Sequence, residues 1–121
     1  MIHHAGVDVS DLDRSGRFYD ALLGPLGWRR LVDDDGRVGW GIYRSVFFAS
    51  ANGTAVRGGS SHVCFSANAI PAVKAAYEGG LEAGGTDDGA PGPRPGYRPG
   101  YYAAYLRDPD GHRVEIAVSN D

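Results

Sequence analysis

Polar and apolar residues alternate at the start of the chain. His4, Gly6 and Asp8 fall on one side of an extended segment and Ala5, Val7 and Val9 on the other, which predicts a strand over about Ile2 to Val9 with one apolar face. The period then lengthens. Ser15, Phe18, Tyr19, Leu22 and Leu23 recur at helical spacing, with Ser10 as the expected N-cap and Asp13 three residues on in a variant of the capping box. Three further strands are expected over Arg29 to Val32, Val38 to Tyr43 and Val46 to Ser50, with Asp33 to Gly36 as a solvated acidic turn between the first two.

The same order then repeats. At a constant offset and without gaps, His4 aligns with His62, Val7 with Phe65, Leu12 with Ile70, Tyr19 with Tyr77, Asp20 with Glu78, Leu23 with Leu81 and Gly27 with Gly85. So many matches in register indicate an internal duplication, and a duplication fixes the architecture. In the second unit a strand is expected over Ser61 to Ala67. A helix follows, with Asn68 as cap, Pro71 in its first turn and Ile70, Val73, Tyr77 and Leu81 as its stripe. Gly27, and either Gly79-Gly80 or Gly84-Gly85, are the expected helix stops. A weak strand near Thr86 precedes two clear ones, Tyr101 to Arg107 and Arg113 to Ser119. These are joined by the turn Asp108-Pro109-Asp110-Gly111, in which Pro109 and Gly111 suit the second and fourth positions. The expected fold is α+β: two βαβββ modules, about residues 1–58 and 59–121 of a single 1–121 domain, forming a cupped mixed sheet.

Bulk properties narrow the function. The 121 residues are enough to bury a core, and 42% hydrophobic with 22% charged residues fits a globular chain. A net charge of −3 gives no basic footprint, so nucleic acid is not an expected partner. One cysteine, Cys64, excludes an internal disulfide framework. No apolar run reaches membrane-spanning length and the first residues lack the regions of a signal peptide, so no membrane partner and a cytoplasmic location are expected.

Strand alternation then locates candidate chemistry. His62 shares a face with Cys64 and Ser66, as His4 does with Gly6 and Asp8, while the opposite faces are apolar. Glu115 lies in the last strand between Val114 and Ile116, which take the apolar side. A tight turn would set Ala104 opposite Glu115 and place Tyr102 on the same face. If the two modules bring their concave faces together, His4, His62 and Glu115 share a cavity. Such a 2-His-1-carboxylate set leaves positions open on a divalent metal, and the metal would explain a carboxylate in a strand interior. His3 faces the other way, and His112, just after the turn, is expected at the surface.

The stretches "IHHAGVDVSDLDRSGRFY", "HVCFSA" and "DPDGHRVEIA" make the chain similar to the vicinal oxygen chelate superfamily, the glyoxalase, bleomycin resistance and extradiol dioxygenase group. The resemblance covers nearly the whole chain and implies paired βαβββ modules cupped around a metal, with His4, His62 and Glu115 as ligands. Glyoxalase I enzymes usually take a fourth ligand from the last strand of the first module, where this chain has Phe47 or Phe48. Three ligands resemble instead the extradiol dioxygenases, which use Fe(II), and the fosfomycin-modifying members, which use Mn(II).

What the resemblance implies is an enzyme that binds a small-molecule substrate through two neighbouring oxygens on Fe, Mn, Ni, Zn or Co. The alternative it leaves open is a non-catalytic antibiotic-binding protein of the bleomycin-resistance type. Tyr102 is the expected proton donor or substrate hydrogen bond, with Asp8 and Ser66 on the same faces as the metal ligands. The Pro- and Gly-rich stretch Ala90 to Tyr105 is an expected rim or lid, with Tyr97 and Arg98 over the cavity and Arg98 suited to an anionic group. Trp40 walls either the pocket or the core. A homodimer is expected, side by side or with modules exchanged.

Overall fold

The computed structural model describes residues 2–51 and 62–118. The first module runs β1 (Ala5–Asp8), α1 (Leu12–Leu23), a 3₁₀ turn (Gly24–Leu26), β2 (Arg29–Asp34), β3 (Arg37–Gly41) and β4 (Ser45–Ser50). The second runs β5 (His62–Ser66), α2 (Ile70–Glu82), β6 (Thr86–Pro93), β7 (Tyr102–Arg107) and β8 (Arg113–Val118). Each module closes its own four-stranded mixed sheet, in the orders β1-β4-β3-β2 and β5-β8-β7-β6. In both, the first strand pairs parallel to the last and the other pairs are antiparallel. A parallel pair needs a crossover, and the helix with the two intervening strands supplies it. This is the α+β pair of βαβββ modules that the duplication predicts.

The helices bury the expected α1 face, Ser15, Phe18, Tyr19, Leu22 and Leu23. In α2 the stripe is rotated: Val73, Ala76 and Gly80 are fully buried, Tyr77 and Leu81 only partly, and Ile70 is exposed. The reason is that α2 lies close against α1 on a small-residue face. A Cβ on Gly79 would stand 2.7 Å from the Ala21 carbonyl oxygen, and one on Gly80 would stand 3.0 Å from Leu106 and 3.1 Å from Leu22. These glycines are therefore interior to α2 and permit the approach; Gly84, with φ of 103°, follows the helix instead.

Aromatic rings join the modules into one core. Phe65 of β5 meets Phe47 of β4 at 5.0 Å and Trp28 at 5.5 Å, both edge to face, and Tyr19 stacks on Phe47 and Trp40.

A polar clasp reinforces this contact. Asp110 accepts hydrogen bonds from the Ser10 amide and hydroxyl, while its salt bridge to Arg14 spans 3.3 Å. Asp108, only 2% exposed, accepts from the Tyr19 hydroxyl at 2.7 Å and from the amides of Asp110 and His112 at 2.9 Å each. Three expectations change here. The cap of α1 is Asp11, which accepts from the Arg14 amide, because Ser10 is engaged by Asp110. His112 is buried, with Nε2 2.7 Å from the Asp8 carbonyl oxygen, because the turn docks on the first module. Asn68 does not cap α2; Ala69 stands at that position and makes no side-chain bond.

Candidate functional site

The outer face of the second sheet is built by strand register. Cys64 of β5 and Tyr105 of β7 flank Glu115 of β8 directly, so the three side chains share one face. The next row along the strands is His62, Arg113 and Arg107. Glu115 is 2% exposed. One carboxylate oxygen, Oε1, lies 2.9 Å from His62 Nε2, and Oε2 accepts a hydrogen bond from the Tyr101 hydroxyl at 2.7 Å. His62 is more open, with 41% of its side chain exposed, so the carboxylate forms a floor and the imidazole a wall.

Three tyrosines complete this face. Tyr97, 64% exposed, lies with its ring 4.9 Å from that of Tyr101. Burial, then the hydrogen bond to Glu115, holds the Tyr101 phenol well above its usual range. Burial, followed by the Tyr97 hydroxyl and the Glu115 charge, does the same to Tyr105. Both stay protonated donors. The Cys64 thiol is pushed up to about 11, chiefly by desolvation and then by Glu115, so it too stays protonated near neutrality and is no thiolate.

Of the candidate residues, the structure brings together His62 and Glu115. His4 lies on the outer face of the first sheet, in a cavity of about 460 Å³ that it lines with Gly6, Asp8, Arg37 and Phe48. His4 and His62 also both border a cleft of about 370 Å³ between the modules, whose inner wall is Trp28, Phe47 and Phe65. Among the described residues no group of three His, Cys, Asp or Glu side chains is placed to hold a metal.

Tyr102 stands on the opposite face from Glu115, facing the helix side and packed on the core, with Val118 as its cross-strand partner. The expected register is off by one. His112 joins the turn instead of the ladder, since its amide bonds Asp108, so Arg107 pairs with Arg113 and Tyr105 takes the place opposite Glu115. Tyr101 and Tyr105 are the residues that sequence reasoning missed. The signal was the alternation Tyr101, Ala103, Tyr105, readable only with the turn length in hand.

Trp40 is wholly buried and donates from Nε1 to Asp20 at 2.9 Å, so it belongs to the core. Arg98 is exposed in the loop between β6 and β7. That loop is shorter than expected, because β6 takes up residues as far as Pro93, with irregular pairing at Gly89 and Gly92.

The fold and site define a class of chains built from two βαβββ modules, here with an imidazole and a carboxylate paired on one sheet face. The chain belongs to the Glyoxalase/Bleomycin resistance protein/Dioxygenase superfamily, whose model matches residues 1–116. It is similar to a glyoxalase/bleomycin resistance protein from Albidiferax ferrireducens, with 34% identity, 97% of each chain covered and a TM-score of 0.84. It shares its fold with a glyoxalase-related enzyme from Fulvimarina pelagi (24% identity, 98% and 89% covered, TM-score 0.72). It also shares it with the fosfomycin resistance protein FosX from Mesorhizobium loti (18% identity, 97% and 90% covered, TM-score 0.70). Among curated proteins no sequence matches significantly. Members of this superfamily typically use divalent metals, bind small molecules and often form dimers. Among the described residues no helix is long and apolar enough to cross a membrane.

Proposed function

We propose that this chain is a metal-dependent enzyme of the glyoxalase/dioxygenase type, acting on a small substrate that presents two neighbouring oxygens. The observation that carries the reading is Glu115: a carboxylate buried to 2% exposure and held by the His62 imidazole and the Tyr101 phenol, with Cys64 and Tyr105 beside it. A buried carboxylate is costly unless hydrogen bonds and a cation complete its surroundings, and a bound metal would be such a cation. The donors fit one. Imidazole and carboxylate suit Fe, Mn, Ni, Zn or Co. His62 and Glu115 supply two donors; within one copy no group of three such side chains is placed to hold a metal among the described residues, and His4 of a second copy would supply the third.

When bound, the metal would act as a Lewis acid on the substrate's two oxygens. The protein's part is positional. Tyr101 fixes Oε2 of Glu115 and so aims the carboxylate, while His62 keeps Nε2 on the same side. Tyr105, held in its protonated form beside Glu115, is the group placed to donate a hydrogen bond to substrate; it takes the role expected of Tyr102. Tyr97, exposed and stacked beside Tyr101, would form the rim of this face.

The test is metal content by elemental analysis on protein purified without chelator or affinity tag, in wild type, His4→Ala, His62→Ala and Glu115→Ala. Near-stoichiometric metal, lost in each variant, supports the enzyme, and its identity separates oxygen chemistry (Fe) from proton transfer or addition (Mn, Ni, Zn, Co). No metal in wild type after reconstitution overturns the reading in favour of a metal-free binding cup.

A further inference from the structure

We infer that Arg113 and Arg107 bind a carboxylate on the substrate, so that the substrate class is a small molecule with two neighbouring oxygens and a separate carboxylate. The inference rests on the chelate reading above and adds to it the row of side chains beside the donors. Arg107 and Arg113 are direct cross-strand partners on the face that carries Glu115 and His62. Like charges placed directly opposite each other destabilise a sheet. Here one carboxylate serves both: Asp88 Oδ2 lies 3.4 Å from Arg107 Nε and 3.2 Å from Arg113 Nε. Arg107 also donates from Nη1 to the Gly111 carbonyl oxygen at 3.0 Å, which fixes that guanidinium to the docked turn.

Among the described residues no other acidic side chain forms an ion pair with either arginine, so the trio carries one positive charge in excess. That charge is accessible, with 36% of the Arg107 side chain and 42% of the Arg113 side chain exposed against 28% for Asp88. One excess guanidinium charge matches a monoanionic carboxylate, which arginine binds through a planar pair of donors. Two residues along a strand span about 6–7 Å, so Arg113 stands one small-molecule length from Glu115. Asp88 bridges both guanidinium groups but carries only one charge, and a ligand carboxylate would balance the second.

The experiment uses the Mn(II)-loaded full chain and two probes, catechol and protocatechuate, the latter being catechol with a ring carboxylate. Calorimetric titration without oxygen gives the ratio of their affinities. Wild type is expected to bind protocatechuate about tenfold more tightly than catechol, the strength of one partly exposed charge-assisted contact. Arg113→Gln and Arg107→Gln are expected to bring the ratio near one, Arg113→Lys to keep part of it, and Asp88→Asn to raise it. An unchanged ratio in the glutamine variants, or no preference in wild type that has taken up Mn(II), overturns this inference alone. Wild type that takes up no Mn(II) overturns the chelate reading, and this inference with it.

Discussion

Replacing Asp108 by alanine removes the acceptor at the centre of the clasp between the modules. Three donors lose their partner at once: the Tyr19 hydroxyl at 2.7 Å and the amides of Asp110 and His112 at 2.9 Å. Each bond contributes roughly 1 kcal/mol net, and a buried hydroxyl left without a partner costs about 1–3 kcal/mol more. Tyr19 is fully buried, so water cannot replace the lost acceptor there. The expected loss is about 3–5 kcal/mol, a large share of the stability of an ordinary domain. Tyr19→Phe should cost far less, about 1 kcal/mol, because Asp108 keeps both amides. Combining the two should then cost about 1–2 kcal/mol less than their sum, since no hydroxyl is left orphaned. Urea unfolding followed by far-UV circular dichroism measures all three, with the slope against denaturant as the check that cooperativity is intact. A loss below about 1.5 kcal/mol in Asp108→Ala at unchanged slope, or strict additivity of the pair, would refute the clasp as argued.

The same tyrosine makes stability pH-dependent. Burial, and then Asp108, raises the Tyr19 pKa well above its ordinary value, so the folded state holds the proton that the unfolded chain gives up near pH 10. Its contribution is complete below about pH 10 and is lost as pH rises toward the folded value, at up to about 1.4 kcal/mol per pH unit; Tyr19→Phe should flatten the fall in denaturation midpoint above pH 10. Gly80→Ala places a Cβ 3.0–3.3 Å from Leu106, Leu22 and Phe18. The overpacking should outweigh the gain in helix propensity and cost about 1–2 kcal/mol in thermal or urea unfolding. Phe48→Glu should add a carboxylate donor on the face that carries His4 and, on the proposed chelate, lower the metal dissociation constant about tenfold or more in a competition titration; an unchanged constant would contradict the equivalence of Phe48 and Glu115.

The module order and the buried face of α1 were legible in sequence because each depends on a local period that only one element type satisfies. Ser15, Phe18, Tyr19, Leu22 and Leu23 form one helical stripe and are buried together. The α2 stripe was misread because its close contact is made by Gly79 and Gly80, which carry no hydrophobic signal and resemble helix stops. Alternation puts His62 and Glu115 on the polar faces of their strands, and the register of β5 with β8 brings the two within 2.9 Å. The tyrosine face was not, because one residue of turn length decides it, and that length is set by Asp108 bonding the His112 amide. His112 was misplaced for the same reason: its burial comes from docking on Asp8, a residue of the other module.

The two copies of the duplicated unit differ at the position of Glu115. In the second module Cys64 pairs with Glu115; in the first, Gly6 pairs with Phe48. The offset that aligns His4 with His62 aligns Gly6 with Cys64, so Phe48, and not Phe47, occupies the Glu115 position. Phe47 points to the core and Phe48 to the cavity of His4. The cross-strand partner of Phe48 is Gly39, where a Cβ would come within 2.6 Å of the Phe48 ring, so that glycine lets the ring lie down on the sheet. Arg37 covers it from the other side, 5.2 Å from the ring centroid. The first module thus keeps its histidine but replaces the second carboxylate with an aromatic shelf, while the second module surrounds its carboxylate with tyrosine hydroxyls. A chelate built from both would present donors on one wall and a flat apolar surface on the other.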